Sequence, residues 1–167
     1  IDRLDAAGVP VVARPDTGWG IMHDKFVVVD GTWVWTGSWN LTENGTYRNN
    51  NHAVLIASRN LAENYAWEFE ELFAEDFGSS PADTPHPIVD VAAGEEIVRV
   101  ETYFSPDDGV AAHIIDTLGT ADFSVRFMAF QFTSEPIAEA LLELADRGLD
   151  VEGVVEARSA NNQIGRA

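Results

Sequence analysis

Hydrophobic and polar positions change rhythm several times along the chain, and each change predicts an element. Residues 1–7 read as the end of a helix, with Gly8 as its C-terminal stop. Residues 9–12 read as a short strand, and Pro10 suits an edge or a strand start. Phe26, Val27, Val28 and Val29 form the unbroken apolar run that a buried strand shows. Asp30-Gly31-Thr32 is a turn signal, and Trp33-Val34-Trp35 is a second short strand. Residues 41–50 are polar and read as a loop, and residues 53–57 as another strand. Asn60 and Glu63 make a capping box, and Leu61, Tyr65, Phe69 and Phe73 give an apolar stripe that runs to about Phe77. Gly78 then ends the helix.

Residues 78–97 hold Pro81, Pro85 and Pro87, show no amphipathic period and read as a linker, with His86 exposed within it. A new alternation follows. Val98, Val100 and Thr102 mark a strand. Val110, Ile114 and Leu118 stripe a helix that stops near Gly119, and His113 on it reads as a surface or packing residue. Residues 123–132 read as a strand. Ser134 caps a helix with Pro136 in its first turn, Gly148 stops it, and residues 151–155 form the next strand. Residues 159–167 are polar. Strands alternating with helices imply an α/β layered fold with helices on both faces of a sheet.

Composition bounds the picture without naming a chemistry. A hydrophobic content of 46% and five tryptophans argue against disorder, and the length fits one domain or pieces of two. Cysteine is absent, which excludes disulfides and thiolate metal sites and leaves the redox compartment open. The sequence has no apolar run of about 20 residues, so a soluble chain without a membrane span is expected. Any export signal would lie before Ile1, and the compartment is otherwise unassigned. The net charge of −18 disfavours general binding to a phosphate backbone and reads as a solvated acidic surface. Glu68, Glu70, Glu71, Glu75 and Asp76 lie far in sequence from the candidate chemistry and need not face it.

That chemistry is concentrated in residues 21–40, IMHDKFVVVDGTWVWTGSWN. On an extended chain His23 and Lys25 point the same way. Gly37-Ser38 turns the chain back and aims Ser38 and Asn40 at the histidine. An imidazole, a cation and two polar donors on one hairpin suit a phosphate group. Lys25 is the only lysine in 167 residues. The sequence shows no Gly-rich phosphate loop, zinc-ligand spacing or Ser-His-Asp signature.

The window His23-x-Lys25-x4-Asp30-x6-Gly37-Ser38-x-Asn40 resembles the motif of the phospholipase D superfamily. The resemblance implies a layered αβα sandwich with a mixed β-sheet. It covers two pieces: residues 1–77 as the motif-bearing C-terminal half of one repeat, and residues 98–167 as the opening half of the next, joined by the 78–97 linker. The chain then reads as a segment of a longer two-repeat protein. The family implies a double-displacement phosphodiesterase with no cofactor and no metal. By that resemblance His23 attacks phosphorus, Lys25 and Asn40 hold the non-bridging oxygens, Asp30 completes the motif by ordering the hairpin, and Ser38 donates to the substrate. Asn51 stands where many members carry an acidic partner of the histidine, with Asn49, Asn50 and His52 as substitutes. A second histidine must come from a second repeat of the same longer protein or from a symmetric homodimer. The substrate expected from the resemblance is a phospholipid headgroup, with Trp19, Trp33, Trp35 and Trp39 flanking the motif. The alternatives are a nuclease of the same superfamily acting on nucleic acid, or a non-catalytic module.

Overall fold

A computed structural model describes residues 2–15, 20–78 and 84–157. The readings at Trp19, at Pro81 and over residues 159–167 fall outside these. The chain forms two compact units, Ile1–Asp108 and Gly109–Ala167.

The first unit opens with α1 (Asp2–Asp5), closed by Gly8 at φ 73°. Residues 9–12 are not a strand: among the described residues they join no sheet, Val9 N–H donates to the Leu4 carbonyl at 3.0 Å, and Pro10 lacks the donor a ladder needs. The sheet that carries the motif consists of β1 (Phe26–Val29), β2 (Trp33–Gly37) and β3 (Ala53–Ala57). It is antiparallel throughout, with β2 in the centre. Between β2 and β3 lies α2 (Glu43–Tyr47), where the sequence suggests only a loop. Its cap is Thr42, whose hydroxyl accepts from the backbone N–H of Gly45. Gly45 reads as a helix breaker, which hides the cap in the sequence.

After β3 the chain enters α3 (Arg59–Phe73). The cap is Ser58, which accepts from Leu61 N–H at 3.3 Å, in place of the expected Asn60. Ser58 ends a strand in extended backbone, so it meets the helix start before Asn60 does. The helix lies on one face of the sheet. Leu61 and Ala62 close over Val34, and Val28, Ile56, Tyr65 and Val100 pack around them. Burying a Leu or Val side chain in such a core stabilises by about 1.5–3 kcal/mol.

The register settles which residues face α3. Val28, Val34 and Ile56 are cross-strand neighbours and form the core. Val27, Val29, Trp33, Trp35 and Leu55 alternate with them and lie on the opposite face. The apolar run of β1 is therefore not a doubly buried strand, since Val27 and Val29 remain exposed.

Within the stretch read as a linker, β4 (Ile88–Ala93) pairs with β5 (Glu96–Glu101) as an antiparallel hairpin. The fully buried Asn64 fastens this stretch to α3, donating to the carbonyl of His86 at 2.7 Å and accepting from its N–H at 2.8 Å. The imidazole of His86 reaches Glu63 at 3.0 Å. The boundary between compact units falls after Asp108, well past residue 97. Val100 belongs to the core of the first unit, and Phe104 packs edge-on against Tyr65. Proline content conceals these long-range contacts.

The second unit holds α4 (Val110–Gly119), β6 (Ser124–Ala129), α5 (Glu135–Asp146) and β7 (Asp150–Val155). The two strands are parallel and joined by the crossover helix α5, whose Leu141 and Leu144 are buried. Gly153 is needed beneath the Phe127 ring, because an added Cβ would come within 2.1 Å of it. The α/β class stands. Among the described residues the strands form three small sheets, two antiparallel and one parallel.

Candidate functional site

The hairpin turn is made by Asp30 at φ 52° and Gly31 at φ 54°, closed by Thr32 N–H donating to the Val29 carbonyl at 3.0 Å. Left-handed backbone at both residues explains an Asp-Gly pair there. Asp30 thus sits at the opposite end of β1 from Lys25, roughly 15 Å away along an extended strand. The structure gives it a turn position and does not bring it to the other motif residues.

His23 and Lys25 precede β1 in irregular backbone, although the sequence places them on a strand. His23 is exposed and Lys25 half-buried. The Lys25 ammonium donates to the backbone carbonyl of His23, which ties the two together. Desolvation lowers the Lys25 pKa, against the pull of the neighbouring Asp24 charge. Desolvation also raises the Asp24 carboxyl, opposed by Lys25 and then His23.

At the other end of β2 the chain is pinned by a close backbone approach. A Cβ on Gly37 would fall 2.3 Å from the His52 carbonyl oxygen, and φ is +154°. Ser38 follows. Its N–H donates to the His52 carbonyl at 3.1 Å, and its hydroxyl accepts from the His52 N–H at 3.1 Å. The same hydroxyl donates to Asn51 Oδ1 at 3.0 Å and lies 3.3 Å from His52 Nδ1. Asn51 spends its amide N–H on the Gly45 carbonyl at 3.0 Å. Both ends of the Asn51 side chain are therefore engaged. Among the described residues no hydrogen bond joins the His23 imidazole to Ser38, Asn40, Asn51 or His52. The expected orienting role of Asn51 toward His23 finds no contact, and Ser38 is directed to Asn51 and His52.

Asn40 is set by α2. Its carbonyl accepts from Thr42 N–H at 2.7 Å and would lie 2.5 Å from a Cβ on Gly45. Gly45→Ala should therefore destabilise by about 1–3 kcal/mol, although alanine normally favours a helix by about 1 kcal/mol over glycine. Urea unfolding of the two proteins measures the difference. Trp39 is held by its indole N–H donating to Thr46 Oγ1 at 3.2 Å and by an edge contact with Trp35, ring centres 5.1 Å apart.

These constraints place Lys25 and Asn40 on one cavity of about 330 Å³, with Val27, Trp35, Trp39 and Leu41 as its apolar wall. A larger cavity of about 810 Å³ lies against Phe69, Leu72, Phe73 and Phe77 of the α3 region. It holds neither Lys25 nor Asn40, so its size does not make it the site of the motif chemistry.

One contact and one residue escape the sequence reading. His52 joins the Ser38 cluster, a contact visible only once Gly37 brings β3 against β2. Glu68, read as a solvated helix charge, is 7% exposed. Burial and then the charges of Asp24, Glu71, Asp107 and Asp108 push its carboxyl up to about 7. Spacing gives the signal in hindsight, since Glu68 continues the Leu61, Asn64, Tyr65 face of α3.

The motif residues, presented by an α/β unit, give residues 1–73 their likeness to the phospholipase D superfamily. More narrowly, those residues match the family model described as "Cardiolipin synthase, PLD-like domain". A mitochondrial cardiolipin hydrolase of Xenopus tropicalis is 44% identical over 75 residues, covering 45% of this chain and 35% of the relative. A phospholipase D of Rickettsia prowazekii (strain Madrid E) is 44% identical over 50 residues, 30% of this chain and 24% of the relative. A mitochondrial cardiolipin hydrolase of Chlamydomonas reinhardtii is 30% identical over 73 residues, 44% of this chain and 32% of the relative. The chain thus spans about a third of the length of the curated relatives it matches. Among the described residues no helix is long and apolar enough to cross a membrane.

Proposed function

We propose that residues 1–73 supply one half-site of a phosphodiesterase that cleaves phospholipids through a phosphohistidine. The observation that carries this reading is the shared cavity: a cation and an amide donor, Lys25 and Asn40, stand beside an apolar wall, and the exposed His23 lies two residues before Lys25. The names of the relatives, cardiolipin hydrolase and phospholipase D, support a lipid substrate over nucleic acid. So does the net charge of −18, which repels a polyanionic backbone.

In the proposed reaction a ring nitrogen of His23 attacks phosphorus and forms a P–N bond as the P–O bond to the leaving alcohol breaks. A second histidine, from another repeat or another copy of the chain, gives its proton to the leaving oxygen. It then takes a proton from the water that cleaves the P–N bond and frees His23. Lys25 and Asn40 donate to the non-bridging oxygens, where negative charge builds in the transition state. Lys25 suits this because its lowered pKa reflects a partly dry ammonium, whose attraction to an anion is less screened.

The test is hydrolysis of phosphatidylglycerol and of bis(p-nitrophenyl) phosphate by the protein and by Lys25→Ala and Asn40→Ala. Each substitution should lower kcat/KM for both substrates by about 10²-fold or more. Unchanged kinetics would remove both residues from the site. The charge-stabilising groups in this scheme are side chains, so activity should persist in excess EDTA. Loss of activity with recovery on adding a divalent ion would contradict the scheme.

A further inference from the structure

Asn40 lies in irregular backbone between β2 and α2, where no strand ladder fixes it. Its place on the cavity therefore depends on what holds α2. Asn51 supplies a bridge with a defined polarity. Its amide N–H donates to the Gly45 carbonyl at 3.0 Å, and its Oδ1 accepts from the Ser38 hydroxyl at 3.0 Å. A backbone carbonyl only accepts, so a nitrogen must face Gly45. An aspartate at position 51 would set a carboxylate oxygen against that carbonyl and lose the bond. The bridge closes around Asn40. Ser38 stands two residues before it. The buried Gly45 packs against it from α2, since an added Cβ would lie 2.5 Å from the Asn40 carbonyl oxygen. A second tie, from the Trp39 indole N–H to Thr46 Oγ1 at 3.2 Å, is exposed, whereas the bond from Asn51 to Gly45 is part-buried and competes less with water.

We infer that Asn51 is a positioning residue for Asn40: by clamping α2 to Ser38 it holds Asn40 on the cavity shared with Lys25. The inference rests on the phosphodiesterase reading for the use made of Asn40, and adds the group that fixes it. Both ends of the Asn51 side chain are spent on this bridge, and among the described residues neither bonds to His23. A donor held in place beforehand is not reordered when an anion arrives, so a loosened clamp appears as weaker anion binding.

The experiment compares the parent protein with Asn51→Asp and Asn51→Ala by NMR and by calorimetric titration with methyl phosphate. Backbone relaxation at Asn40 and Gly45 should show added fast motion in both variants. Methyl phosphate should bind about five-fold more weakly to each, the loss expected for one hydrogen bond. In an Asn40→Ala background the same substitutions should change that affinity by less than about two-fold, because the clamp no longer holds a donor. The His23 ring signals should move over the same pH range in Asn51→Asp as in the parent. Ser38→Ala removes the other end of the bridge and gives the same readings if an Asn51 variant fails to fold. Unchanged motion at Asn40 and Gly45 would overturn the inference, as would losses that multiply in the Asn40→Ala background. A rise of the His23 range in Asn51→Asp would also overturn it, because a carboxylate bonded to the imidazole favours the charged ring. Added motion at Asn40, with no methyl phosphate binding by the parent protein, would keep the clamp and sink the phosphate site. The failure of the inference and of the functional reading are thus distinguishable.

Discussion

Alanine in place of His23 is expected to lower phosphodiester hydrolysis by on the order of 10³-fold or more, because in the proposed reaction it removes the attacking atom itself. The loss should be as large for bis(p-nitrophenyl) phosphate as for phosphatidylglycerol, since both require the same P–N bond. A second consequence follows from counting histidines. The reaction needs one group to attack and another to protonate the leaving oxygen. The chain has four histidines. Of the other three, His52 lies in the Ser38 cluster, His86 is paired with Glu63, and His113 lies on α4 of the second unit with no lysine two residues on. Turnover by this chain alone should therefore rise faster than linearly with its concentration, as a second copy brings a second His23. Steady-state rates across a hundred-fold concentration range measure this, and strictly linear dependence would show that one motif suffices.

Glu68→Gln is expected to stabilise the protein in mildly alkaline solution. The Glu68 carboxyl is buried on α3, and its pKa rises from 4.5 in the ordinary state to about 7. A carboxyl with a raised folded-state pKa favours folding fully below its unfolded value and loses that contribution as pH rises through the folded value. The parent should thus lose stability between about pH 4.5 and pH 7, by up to about 3 kcal/mol. Asp24 and Glu71 are raised in the same direction and add to the trend. Glutamine keeps the shape and carries no charge, so Glu68→Gln should flatten the profile. Urea midpoints at pH 4 and pH 8 decide the matter, and equal pH dependence in the two proteins would show that Glu68 is not the responsible group.

Local signals explain what the sequence disclosed. Asp30-Gly31 declared the turn because few other pairs accept two left-handed residues, and the β1–β2 hairpin followed. The Leu61–Tyr65 stripe declared α3, and the spacing from His23 to Asn40 declared the family of residues 1–73. What stayed hidden depended on contacts between distant residues. Asn64 holding the backbone of His86 turns a proline-rich stretch into an ordered one. Gly37 draws Ser38 to His52 and Asn51, away from the histidine that spacing suggested. Glu68 reads as surface charge until helix phase and the Phe26–Tyr65–Phe104 packing show that its face is covered.

In the proposed reaction His23 is the nucleophile. Rapid acid-free quenching of the protein during turnover of bis(p-nitrophenyl) phosphate, followed by peptide mass spectrometry, tests it directly. A phosphoramidate is expected on the peptide that contains His23, absent in His23→Ala, and formed with a burst of p-nitrophenolate. A phosphoryl adduct on another residue, or undiminished turnover by His23→Ala, would contradict it.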